Sequence, residues 1–167
     1  MEVHTSDTQA TKPLRSPWVV APPPAFFVAS FMAGVALARV APLPLVGASM
    51  YALARAIGIG AIVAASVLIL SAPVLFLRHR TTIVPHGKAR SLIIAGPYRI
   101  TRNPMYVGLA AAYIGAALVV NLLWPLLFVV LPLWVLQTKT IPFEERSLLA
   151  IFGDEYRAYQ RRVRRWL

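Results

Sequence analysis

Long charge-free apolar runs alternate with short basic segments along the chain, a texture that predicts helices crossing a bilayer. A hydrocarbon core takes about 20 apolar residues of helix. The first run covers about Pro24 to Val40, with Trp18 able to extend it into the interface. Pro42-Leu43-Pro44 ends it, because proline cannot continue the helical hydrogen-bond ladder. The second run covers about Met50 to Leu77; Arg55 can snorkel outward near its start, and Pro73 predicts a kink near its end. No charged residue lies between Arg102 and Lys139. As one helix that stretch would reach about 54 Å, well beyond the roughly 30 Å of hydrocarbon. Asn121, followed by Trp124 and Pro125, supplies a turn, so two antiparallel helices of about 16 residues each are expected. The prediction is an all-α, polytopic fold of about four membrane helices.

Beyond the fourth span the pattern turns amphipathic. Pro142 suits a first helical turn, and Glu144 and Glu145 favour its positive end. Leu148, Leu149, Ile151 and Phe152 follow, and Gly153 stops the helix. Asp154 can cap a second one, in which Tyr156, Tyr159, Val163 and Trp166 fall near one face and arginines fill the rest. Such a helix lies on a membrane or against the bundle.

Composition agrees with a membrane chain and charge orients it. Of 167 residues, 58% are hydrophobic and 14% charged, against about 25% charged in an ordinary soluble domain. The net charge of +11 would suit nucleic acid or anionic lipid, but the cations flank apolar spans, so topology explains them better and no nucleic-acid partner is expected. Lys12 and Arg15 precede the first span; Arg78, Arg80, Lys88, Arg90, Arg99 and Arg102 lie between the second and third; Lys139, Arg146 and the later arginines follow the fourth. Four spans put all three groups on one side, which the positive-inside rule makes cytoplasmic, as in a bacterial inner membrane. Ala36-Leu37-Ala38 resembles a signal-peptidase site, but the leader would be long and broken by Pro22, Pro23 and Pro24, so a retained first helix is expected. The chain divides into a polar tail over 1–17, two spans over 18–77 and a third region over 78–167. It has no cysteine, hence no disulfide, thiolate metal site or cysteine nucleophile.

Candidate chemistry concentrates in two places. Residues 95–108 hold a Gly96-Pro97 turn, the fixed cations Arg99 and Arg102, the hydroxyl-tipped rings of Tyr98 and Tyr106, and an Asn103-Pro104 helix entry. The plain alternative is a positive-inside loop with interfacial aromatics. Glu144 and Glu145 are two of only six acids, and adjacent helical positions point about 100° apart, so one of them is expected to face a site. The plain alternative there is helix-dipole compensation and pairing with Arg146 or Arg102. His79 and His86 lack acids and ligand spacing, so no metal site is expected. Gly58, Gly60, Gly108, Ala111, Ala112 and Gly115 suit close helix packing.

Taken together, two motifs resemble a known family. Gly96-Pro97-Tyr98-Arg99 and Arg102-Asn103-Pro104-Met105-Tyr106 with Gly108 follow a second span. After a hairpin come Glu144-Glu145, Leu148, Phe152-Gly153, Tyr156, Tyr159 and Val163-Arg164-Arg165-Trp166. This pattern, over about Ile83 to Leu167, resembles the isoprenylcysteine carboxyl methyltransferases in their short prokaryotic form, and the related phospholipid N-methyltransferases. The resemblance implies S-adenosylmethionine as cofactor, held at the cytoplasmic ends of the last spans. Arg90, Ser91, Leu92 and Ile93 would line the pocket with Tyr98 beside them; Asn103, Pro104, Met105 and Tyr106 would form another wall; Glu144 would hold the cofactor from the far side. Glu145 would orient the helix or pair with a cation. Arg102, Tyr106 and Glu144 are the implied catalytic group, with Lys139 and Arg99 toward the substrate. Asn103 stands where eukaryotic isoprenylcysteine enzymes have histidine, and Thr140 where they have a substrate-contacting arginine, so a prenylcysteine substrate does not follow.

The expected activity is methyl transfer to a lipophilic or amphiphilic acceptor that enters between helices from the bilayer. The competing reading is a non-catalytic membrane protein that binds anionic lipid or a partner through its basic face.

Overall fold

The computed structural model describes residues 22–78 and 92–167. Arg90 and Ser91 of the expected pocket, His79, His86 and the tail over 1–17 lie outside the described residues. The described chain is helical, with only two isolated bridges between extended residues.

Helix α1 is Pro23–Val40, α2 Ala48–Arg78 and α3 Pro104–Val120. A last apolar run begins as α4, Leu123–Phe128, continues as α5, Val130–Val135, widens into a π-turn at Leu136–Thr140, and runs on as α6, Ile141–Arg162. Three helices are long and apolar enough to cross a membrane: α1, the Ala48–Leu75 part of α2, and the run from Leu123. The third expected span, α3, has 17 residues and is apolar throughout. The boundaries follow the prolines. Pro23 opens α1, Pro104 opens α3, and α1 stops just before Pro42. Pro73 lies inside α2, which continues through it.

Helices α2 and α3 pack antiparallel through small residues. A Cβ added to Gly58 would sit 2.6 Å from the Gly115 carbonyl oxygen, and one on Gly115 would sit 2.7 Å from that of Gly58. Gly108 meets Ile69 and Ala65 in the same way, whereas Gly60 faces open space. Close backbone approach is the usual means of packing helices that lipid does not push together. Helix α1 crosses the hairpin between α3 and α4 with Gly34 against Pro125. Its buried stripe of Phe27, Ser30, Gly34 and Ala38 has helical spacing.

The prolines of the last run free backbone carbonyls that other residues satisfy. Pro132 has no N–H for the Phe128 carbonyl, and the Ser30 hydroxyl donates to that oxygen instead at 2.7 Å. Tyr113 completes the group, its hydroxyl 3.3 Å from Ser30 and its ring edge-on to Phe27 and Phe31. The expected turn at Asn121 is present, with Asn121 left-handed at φ 53°. Its amide accepts from the Val46 N–H at 2.9 Å and donates to the Val46 carbonyl at 3.0 Å. This joins the α1–α2 loop to the α3–α4 turn at one end of the bundle.

Candidate active site

The other end gathers the Gly96–Arg99 3₁₀ turn, the start of α3, the π-turn and α6. Pro104 begins α3, so Tyr106 falls in its first turn with its ring buried. Phe27, Tyr113, Leu136 and Ile141 share that core with Tyr106. From α6, Glu144 reaches the same point. The Tyr106 hydroxyl donates to Glu144 Oε1 at 2.5 Å. Among the described residues Glu144 makes no ion pair, and burial pushes its carboxyl up to about 7. Tyr98 belongs to this cluster: burial, and then the negative charge of Glu144, push its hydroxyl up to about 12, so it stays a neutral ring.

Glu145 points elsewhere. It meets Arg165 through a fork, Nε to Oε1 at 3.2 Å and Nη2 to Oε2 at 2.6 Å, and Arg102 Nη2 lies 3.1 Å from Oε1. The side chains of Arg102 and Glu145 are each only 12% exposed. The angular separation of the two acids thus divides them: one faces two tyrosines, its neighbour two arginines.

Residues after α6 complete this end. Val163 is extended, with φ −122° and ψ 133°, and the following chain runs beside residues 101–103. The Arg102 N–H donates to the Arg164 carbonyl at 2.9 Å. The Arg165 carbonyl accepts from Thr101 Oγ1 at 3.1 Å and from Asn103 Nδ2 at 2.9 Å. Trp166 Nε1 donates to Gln137 of the π-turn at 2.8 Å. Trp166 therefore leaves the face expected for it beside Tyr156, Tyr159 and Val163 and packs against the core around Tyr106. An extended turn at Val163 is the reason. Gly153 does break the helix, at φ 52° and ψ −120°.

The structure brings Tyr98, Tyr106 and Glu144 together, with Pro104 buried at the base of α3 and Asn103 and Met105 partly buried beside it. Asn103 uses its amide on the Arg165 carbonyl. Ile93 is buried, and Leu92 packs on the separate cluster of Tyr156, Tyr159 and Val163. Arg99 and Lys139 are exposed. The sequence reading missed Thr101, Arg165 and the Trp166–Gln137 contact. The run of arginines near two acids signals a pairing, but not which arginine makes it.

Comparison with known proteins bears on this arrangement. A family model described as phospholipid methyltransferase matches residues 53–155, which include most of α2, all of α3, Tyr98, Tyr106, Glu144 and Glu145. Over 77 residues the chain is 32% identical to a protein of Schizosaccharomyces pombe (strain 972 / ATCC 24843) named Protein-S-isoprenylcysteine O-methyltransferase. That alignment covers 46% of this chain and 33% of the yeast protein, so the match spans about a third of the relative's length. No solved structure matches.

Proposed function

The chain belongs to the phospholipid methyltransferase family, and from that premise we propose an integral membrane enzyme that transfers a methyl group from S-adenosylmethionine to a lipophilic or amphiphilic acceptor. Its site-bearing face would be cytoplasmic. The observation that carries the reading is the Tyr106–Glu144 contact beside Tyr98. A carboxyl group with no ion-pair partner among the described residues, next to neutral tyrosine rings, suits a ligand with hydroxyls, an ammonium and a sulfonium cation. The residues present therefore fit this cofactor.

S-adenosylmethionine, when bound, supplies a methyl group already activated by its sulfonium, so alignment matters more than proton transfer. Glu144 would accept hydrogen bonds from, or offset the positive charge of, the bound molecule. Tyr106 orients that carboxylate through its hydroxyl. Tyr98 and Tyr106 would present ring faces and exclude water. Arg102 has its charge matched by Glu145. Lys139 and Arg99 are exposed and would meet an anionic head group. A carboxylate or thiolate acceptor needs no general base, whereas an ammonium must first lose a proton.

Titration calorimetry of the purified protein with S-adenosylmethionine tests the reading. Wild type is expected to bind, and Glu144→Ala combined with Tyr106→Ala to weaken binding by about tenfold or more, as loss of a charged hydrogen-bonding group does. Unchanged binding in that variant removes the site assignment, and a wild type that does not bind removes the function. Transfer of a labelled methyl group into lipid extracts then identifies the acceptor class.

A further inference from the structure

We propose that Arg165 is a positioning residue for the cofactor site: through Glu145 it fixes the direction in which Glu144 points. The inference rests on the methyltransferase reading above. Glu144 and Glu145 are consecutive on α6, so the rotation of that helical turn sets both side chains at once. A guanidinium fork holds a carboxylate in distance and in plane, which a point charge does not. Arg165 makes that fork, while Arg102 touches Glu145 through one nitrogen. Arg165 is itself held from the other side, because its carbonyl takes hydrogen bonds from Thr101 and Asn103 just before α3. Arg165 is therefore a strut between the segment that leads into Tyr106 and the turn that carries Glu144. Without it, Glu145 keeps only the Arg102 contact, and the Tyr106–Glu144 contact loses its lateral support.

A side chain that only braces the fold would lower affinity whatever stands at position 144. A strut acting through Glu144 would not. The measurement is the Kd for S-adenosylmethionine, by calorimetry in detergent micelles, of wild type, Arg165→Ala, Glu144→Gln and the double variant. Arg165→Ala is expected to weaken binding about tenfold in wild type and less than about twofold in the Glu144→Gln background, a coupling of ordinary size for side chains in one network. Arg165→Lys is expected to recover part of the loss. Should Arg165→Ala yield no folded protein, Arg165→Lys in both backgrounds carries the same test with a smaller expected loss. Equal losses in the two backgrounds, or no loss in either, overturn the strut. A wild type that does not bind overturns the methyltransferase reading and the strut with it, an outcome distinct from binding that is insensitive to Arg165.

Discussion

The two ends of the bundle are closed by different chemistry. At one end the α1–α2 loop meets the α3–α4 turn through neutral hydrogen bonds to backbone: Asn121 to Val46 in both directions, Leu123 N–H to the Leu43 carbonyl at 3.0 Å, and Trp124 Nε1 to the Ala41 carbonyl at 2.7 Å. At the other, Tyr106, Glu144, Glu145, Arg102 and Arg165 supply charged contacts, two of them between side chains that are nearly buried. Neutral stitches are enough to end helices and join loops. Charges held out of water are costly unless paired, and their arrangement persists only where surrounding groups hold it. Under the proposed function the charged end would carry the chemistry, and the neutral end would join the loops opposite it.

Substitutions at each end should separate these roles. The largest effect is expected from Glu145→Ala, which strands Arg102 and Arg165. Breaking a buried pair in this way costs about 3–5 kcal/mol, to be read by equilibrium unfolding in mixed micelles, and a loss under about 1 kcal/mol would mean that solvent already screens the group. Next comes Gly115→Leu, midway between the ends. Its Cβ alone would sit 2.7 Å from the Gly58 carbonyl oxygen, so overpacking of about 1–3 kcal/mol is expected unless α2 shifts. Asn121→Ala removes two hydrogen bonds at the neutral end and should cost about 1–2 kcal/mol. It should leave cofactor affinity unchanged; an affinity loss there would erase the contrast between the ends. Smallest is Arg157→Ala. Its pair with Asp154 is exposed at both partners, and about 0.3 kcal/mol or less is expected.

How much of this was legible in sequence depends on whether the cause was local. The first two spans match α1 and α2 within a few residues, because apolar runs and prolines are local signals. The Asn121 turn was legible because an unbroken helix would overrun the bilayer. A separate amphipathic helix starting at Pro142 was expected, yet α6 continues from α5 through the π-turn. The hydrogen-bond ladder is already interrupted there, so a proline in the next turn loses little. That Glu144 and Glu145 point in different directions followed from the helical angle, whereas the choice of Glu144 as the acid facing a site was implied only by the family resemblance. The partner of Glu145 did not, since Arg165 arrives only because Val163 turns the chain out of its helix. Likewise Ser30 gave no signal in the sequence, because its role is set by a carbonyl that a distant proline leaves free.

The π-turn at Leu136–Thr140 governs the chain's tolerance to changes in length. A π-turn accommodates one residue more than an α-turn while the helix on either side keeps its phase. Deleting one residue inside it would let the turn revert to α geometry with Glu144 still facing Tyr106. The same deletion a turn later, between Ile141 and Glu144, would swing the carboxylate about 100° around the axis. Length variation in this helix is therefore accommodated at the π-turn and excluded just beyond it.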